Sequence, residues 1–172
     1  DVILELERNN IDYVCCDIKH IIGSQKLKCY ISLDITDTYA VVNTILEVKP
    51  DAIIHCAAWT DVDAAEDKNN QRRLYEINVI GTQNLANACK KTGCKMMYIS
   101  TDYVFSGEGA IPWVADCQDF NPRNFYGLTK LNGELSIKER INNYFIVRIS
   151  WVFGKHGSNF VKTMLKLAEK HD

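Results

Sequence analysis

Ala52-Ile53-Ile54-His55-Cys56-Ala57-Ala58 is a nearly continuous apolar run that begins just after Lys49-Pro50-Asp51. A run this short and this apolar is expected of a parallel strand covered on both faces. The residues that follow decide the class. From 69 to 91, Leu74, Ile77, Ile80, Leu85 and Ala88 recur at helical spacing and form one stripe, which Gly93 ends. Residues 95 to 100 read as the next strand, 124 to 140 as a long helix, 144 to 149 as a strand and 158 to 170 as a last helix. Upstream, residues 2 to 6 carry apolar side chains at helical spacing and run into Asn9-Asn10, so the sequence opens inside a helix. Residues 11 to 16 read as a strand ending at Asp17, and Thr36-Asp37 precede an amphipathic helix from 39 to 48. Right-handed crossovers wind this alternation into a doubly wound, mainly parallel α/β sheet, with ligands beyond the carboxyl ends of the strands.

At 172 residues and 47% hydrophobic content, the chain can bury one sizeable core, so one domain is expected. The formal net charge is -2, and Lys and Arg are scattered, which leaves no footprint for nucleic acid or an anionic membrane. No apolar run approaches the roughly 18 residues of a membrane span, and the first residues lack a signal peptide's basic start. A cytoplasmic protein with a small-molecule partner is expected. Cys15, Cys16, Cys29, Cys56, Cys89, Cys94 and Cys117 never form a Cys-x-x-Cys pair and read as reduced, buried small hydrophobes. His20, His55, His156 and His171 are dispersed without ligand spacing, so no metal site is expected.

Chemistry enters with Tyr126-Gly127-Leu128-Thr129-Lys130. A tyrosine and a lysine four residues apart on a helix project from one face. A phenol with a pKa near 10 is a poor acid at neutral pH, and a neighbouring ammonium is expected to lower that value by favouring the phenolate. The pair then makes a tuned general acid. Ile99-Ser100-Thr101-Asp102-Tyr103-Val104-Phe105 runs from an apolar strand into hydroxyl-bearing residues at its carboxyl end, where a hydroxyl can steady a substrate carbonyl. A turn or helix cap at Thr101-Asp102 accounts for the same residues.

Together these motifs resemble the extended short-chain dehydrogenase/reductase family. The resemblance extends through Leu33-Asp34-Ile35-Thr36, Lys49-Pro50-Asp51, Cys56-Ala57-Ala58-Trp59-Thr60-Asp61, Asn78-Val79-Ile80-Gly81-Thr82, Asn121-Pro122, Arg148-Ile149-Ser150-Trp151 and Asn159-Phe160, in the family's order. It implies NADP- or NAD-dependent reduction of a nucleotide-linked 4-keto sugar, a step of deoxysugar and cell-surface polysaccharide biosynthesis. Thr101, Tyr126 and Lys130 would be the catalytic triad, with Lys130 also on the nicotinamide ribose. Asp34 and Ile35 would flank the adenine, Ala57, Ala58 and Trp59 would line the cofactor, and Ser100 would sit beside the nicotinamide. Asn78 would order the surroundings of the lysine. Asp102, Tyr103, Trp151 and Asn159 match positions near the sugar or its nucleotide. Asp17, at a strand end, suits an adenosine ribose, and Lys19 and His20 beside it leave NAD against NADP open. A homodimer is allowed, though nothing in the sequence demands one.

Each assignment has a plainer counterpart: small Ala57 and Ala58 for packing, Trp151 in the core, Asn78 bonding locally, Asp17 as a solvated strand-end charge. The family's spaced glycines, which hold the pyrophosphate at a helix N-terminus, are absent from this sequence. The expectation is therefore a partial nucleotide-binding and catalytic domain, without its first strand and glycine loop and with its substrate lobe missing or truncated, inactive if isolated. A nucleotide-sugar epimerase or dehydratase shares Tyr-x-x-x-Lys and remains an alternative. So does a non-catalytic regulatory subunit resembling the beta subunit of methionine adenosyltransferase.

Overall fold

The computed structural model describes residues 2–18, 29–155 and 159–169. Lys19, His20, His156 and His171 lie outside the described residues, as do both ends expected for the last helix, Ser158 and Lys170.

Helix α1 (Val2–Arg8) ends where Asn10 turns left-handed at φ 52 and the Ile11 amide donates back to the Leu6 carbonyl at 2.9 Å. The following strand is shorter than its apolar run suggests. Only β1 (Cys15–Asp17) is extended and paired, in parallel with β2 (Tyr30–Ser32), a three-residue strand too brief to announce itself by alternation. Helix α2 (Thr38–Val48) starts at Asp37, whose carboxylate accepts from the amides of Tyr39 and Ala40, a cap that contributes about 1 kcal/mol. Lys49 closes it in the left-handed conformation.

The main sheet is β3 (Ala52–His55), β4 (Lys95–Thr101) and β5 (Tyr144–Ile149), all parallel, in the order β3-β4-β5. Among the described residues the parallel strands therefore form two ladders, β1 with β2 and β3 with β4 and β5, and β1 and β3 share none. Helix α3 (Lys68–Tyr75), a π-helical segment (Glu76–Gly81) and α4 (Thr82–Thr92) run as one continuous helical stretch between β3 and β4. Gly93, at φ 78, ends it. Helix α5 (Phe125–Arg140) joins β4 to β5, and α6 (Phe160–Ala168) follows.

The core lies on one face of the sheet. Met96, Tyr98 and Ser100 alternate inward from β4, and the first two pack with Val41, Ile45, Leu85 and Ile137 from α2, α4 and α5. Fully burying each large apolar side chain contributes about 1.5 to 3 kcal/mol. Coverage of both faces, expected from the Ala52 to Ala58 run, is not what these residues have: Ile54 and Phe145 on the opposite side are exposed. The cysteine expectation is also corrected. Only Cys89 and Cys94 are buried, burial pushing the Cys89 thiol up to about 12, whereas Cys16, Cys29 and Cys56 are exposed. Among the described residues, no helix is long and apolar enough to cross a membrane.

Candidate active site

The carboxyl end of β4 and the first turns of α5 meet at a fixed distance for a steric reason. A Cβ on Gly127 would collide with the backbone carbonyl of Tyr103, so only glycine lets the helix lie against the short 3-10 turn (Asp102–Val104) that follows β4. The N-terminus of α5 is held by two acceptors. Asn124 takes the Gly127 amide at 2.7 Å, and Glu66, from the loop after β3, takes the Phe125 amide at 2.8 Å. These satisfy donors that a helix start otherwise leaves open. Tyr126 is thereby fixed beside Ala65 and Leu74, its ring edge-on to Tyr103 with centroids 6.0 Å apart.

The Thr101 hydroxyl accepts from the Tyr103 amide at 3.2 Å and donates to Asp102 at 3.1 Å, while Asp102 also accepts from Ser150 at 2.6 Å. Thr101 is therefore a turn cap, as its plainer reading has it, and it is also the residue whose hydroxyl interacts with the Tyr126 phenol. Burial raises the pKa of that phenol, and hydrogen bonding with Thr101 opposes the rise. The expected lowering by Lys130 is overturned. The Lys130 ammonium is committed to β4 instead: it donates to the Ile99 carbonyl at 2.8 Å and lies 4.0 Å from the centroid of the Tyr98 ring. Burial drives its pKa down to about 7, and the negative charge of Glu134 opposes the fall.

Asn78 joins three elements. Its side-chain oxygen accepts from the Trp59 amide at 2.8 Å, and its nitrogen donates to the Trp59 carbonyl at 3.3 Å and the Thr129 hydroxyl at 3.1 Å. Thr129 in turn donates to the Tyr126 carbonyl at 2.8 Å. The π-helical segment carrying Asn78 has the kind of local widening that recurs at functional sites. Asn78→Ala removes the acceptor of the Trp59 amide and a donor to the buried Thr129 hydroxyl. It is expected to lower stability by roughly 2 kcal/mol, read as a shift in the urea midpoint.

The remaining residues divide. Trp59 and Ala58 are half-buried and Ala57 is exposed at the carboxyl end of β3. Ser100 is only 2% exposed and donates to Glu134 at 2.6 Å. Tyr103 is exposed beside Tyr126. Trp151 is not core. It is 74% exposed, left-handed at φ 51, and edge-on to Phe160 at 5.1 Å. Asn159 caps α6 by accepting from the Lys162 amide at 3.1 Å. Burial of Asp34 is outweighed by hydrogen bonds from Thr36 and Arg73, which hold its carboxyl below the usual range; Ile35 packs against Gly81. Asp17 ends β1, in the other sheet. Glu66, Tyr98, Glu134 and Arg148 also build this region. Of these, Glu134, four residues beyond Lys130, had a sequence signal: its position on the same helical face.

Parallel strands joined by helices, with the candidate residues at the carboxyl end of β4, make this a Rossmann-like α/β protein. Comparison with known proteins narrows this. The chain belongs to the family described as RmlD substrate binding domain, which matches residues 1–172. It is 39% identical over 137 residues to a dTDP-4-dehydrorhamnose reductase of Salmonella typhimurium, covering 80% of this chain and 45% of that protein. The crystal structure of the dTDP-4-dehydrorhamnose reductase of Bacillus anthracis in complex with NADP is 44% identical, with a TM-score of 0.72 over 81% of this chain and 49% of that one. That of a Clostridium acetobutylicum dTDP-4-dehydrorhamnose reductase is 38% identical, with a TM-score of 0.79 over 92% of this chain and 60% of the other. The chain thus spans less than half the length of the curated Salmonella relative.

Proposed function

We propose that this chain is the cofactor-binding and catalytic portion of an NAD(P)H-dependent reductase that converts the ketone of a nucleotide-linked 4-keto sugar to an alcohol. What carries the reading is that Thr101 ends β4 and bonds with the Tyr126 phenol, while the Lys130 ammonium is held by Ile99 of the same strand, where α/β sheets bind ligands. The likeness to dTDP-4-dehydrorhamnose reductases, one of them in complex with NADP, supports both the substrate class and the cofactor.

The residues fit such a cofactor. Small Ala57 and Ala58 leave the backbone approachable at the end of β3, and Asn78 fixes the Trp59 peptide behind them. NADPH or NADH held there supplies the hydride. The chain's own residues then manage one proton. Burial keeps the Tyr126 phenol protonated at neutral pH. An alkoxide is far more basic than a phenolate, so the phenol still releases its proton downhill once negative charge develops on the sugar oxygen. Thr101 would orient that oxygen, and Lys130, which has two further N–H donors beside the one on the Ile99 carbonyl, would hold the nicotinamide ribose. Asp102, Tyr103, Trp151 and Asn159 would lie on the side of the sugar or its nucleotide.

The test uses the whole protein with a dTDP-4-keto sugar and reduced cofactor, followed by absorbance. Stoichiometric loss of reduced cofactor supports the reductase. Tightly held, recycled NAD would replace it with an epimerase or dehydratase, and copurification with a larger enzyme without turnover would replace it with a regulatory subunit.

A further inference from the structure

Beyond the triad, the molecule carries a buried carboxylate that the mechanism above does not use. Glu134 is fully buried on α5, one helical turn past Lys130. Arg148 of β5 grips it with two bonds, 2.9 Å from Nε to Oε1 and 2.7 Å from Nη2 to Oε2, and Ser100 of β4 donates to it at 2.6 Å. The Arg148 guanidinium is itself placed over the rings of Phe105 and Phe120, at 5.2 and 5.0 Å. A buried ion pair is a poor route to stability, since the desolvation of both charges offsets their attraction. Its location suggests another use. Tyr98, Ile99 and Ser100 are consecutive on β4. The first offers its ring to Lys130, the second its carbonyl to Lys130, and the third its hydroxyl to Glu134. Gly133 makes room for this arrangement, because a Cβ there would stand 2.5 Å from the Tyr98 hydroxyl.

We propose that Glu134, fixed by Arg148 and Ser100, is a positioning residue for Lys130: it draws the ammonium against the Ile99 carbonyl and the Tyr98 ring and favours its charged form. The groups that face Lys130 are Glu134 from α5, His55 from β3 and Cys56 just beyond it, and Tyr98 from β4, with Arg148 of β5 behind Glu134. His55 is neutral at physiological pH, burial holding it down to about 3. Tyr98 and Tyr126 are pushed upward by burial and are neutral as well. Glu134 therefore opposes the desolvation of Lys130 more than any other neighbour, ahead of Cys56. What Lys130 does once charged rests on the reductase reading; how it is held does not.

The experiment follows the Cε signal of Lys130 in the whole protein labelled with 13C-lysine, assigned by its loss in Lys130→Arg. Glu134→Gln, which keeps the shape of the side chain, is expected to move the Lys130 titration to lower pH by about one unit, a tenfold loss of proton affinity. Where the protein turns over a keto sugar, activity of Glu134→Gln is expected to fall at neutral pH and to recover as pH is lowered, which a merely structural role would not produce. Should the unpaired Arg148 prevent folding, the double variant Glu134→Gln/Arg148→Gln removes both charges and is expected to shift the titration in the same direction. An unchanged Lys130 titration in either folded variant overturns the proposal. Absence of turnover in the wild type would overturn the reductase reading alone and leave the titration decisive.

Discussion

Tyr126→Phe in the whole protein is expected to cut keto-sugar-dependent oxidation of reduced cofactor by roughly a hundred- to ten-thousand-fold, the span that positioned general acids contribute. The change removes one oxygen and leaves the ring. Because that ring packs on Ala65 and Leu74 and meets Tyr103 edge-on, Phe keeps every apolar contact. The hydroxyl it removes interacts with Thr101, which retains the Tyr103 amide and Asp102 as partners, so stability is expected to change by no more than about 1 kcal/mol. Cofactor affinity, read by fluorescence titration, is expected to hold, since Lys130 stays on the Ile99 carbonyl. Equal rates for Tyr126→Phe and wild type would remove the assigned acid. A loss of rate matched by a loss of folding would instead make Tyr126 a packing residue.

The contrast between Tyr126 and Lys130 shows what was legible in the sequence and what was not. Spacing placed both side chains on one face of α5, and Asn124 marked where that helix begins. Spacing carries no information on where a long flexible side chain ends, and here the Ile99 carbonyl and the Tyr98 ring claim the ammonium. Burial therefore decides the direction of the phenol's shift, against the expectation from charge alone. The position of Glu134 on that face was legible, but its partner was not, for a related reason. A carboxylate within a helix reads as solvated until Arg148, on a different strand, is brought against it. The alternation of strands and helices was plain because burial imposes distinct periods on each. The π-helical segment at Asn78 was not, since widening the helix by one residue leaves its apolar stripe almost intact. The partition into two sheets depends on which strands share ladders, and that is a property of their neighbours rather than of any one strand.

Gly127→Ala offers the second large effect, and its sign runs against helix propensity. In an exposed helix interior, replacing glycine by alanine stabilises by about 1 kcal/mol, because it reduces the freedom lost on folding. At Gly127 the added Cβ meets the carbonyl of Tyr103, a backbone group that no rotamer change can move aside, with the Asn124 side-chain oxygen 3.1 Å away. Relief requires that α5 retreat or that the turn after β4 bend. The first displaces Tyr126, and the second displaces the turn that Thr101 caps. A destabilisation of about 3 kcal/mol is expected from such overpacking, seen as a lower urea midpoint at unchanged slope. Turnover should fall further than the folded fraction, because a misplacement of about 1 Å between reacting groups can cost a hundredfold in rate. If Gly127→Ala proved as stable as wild type and equally active, the helix would not need to approach the turn so closely, and the steric account of how Thr101 and Tyr126 are brought together would fail.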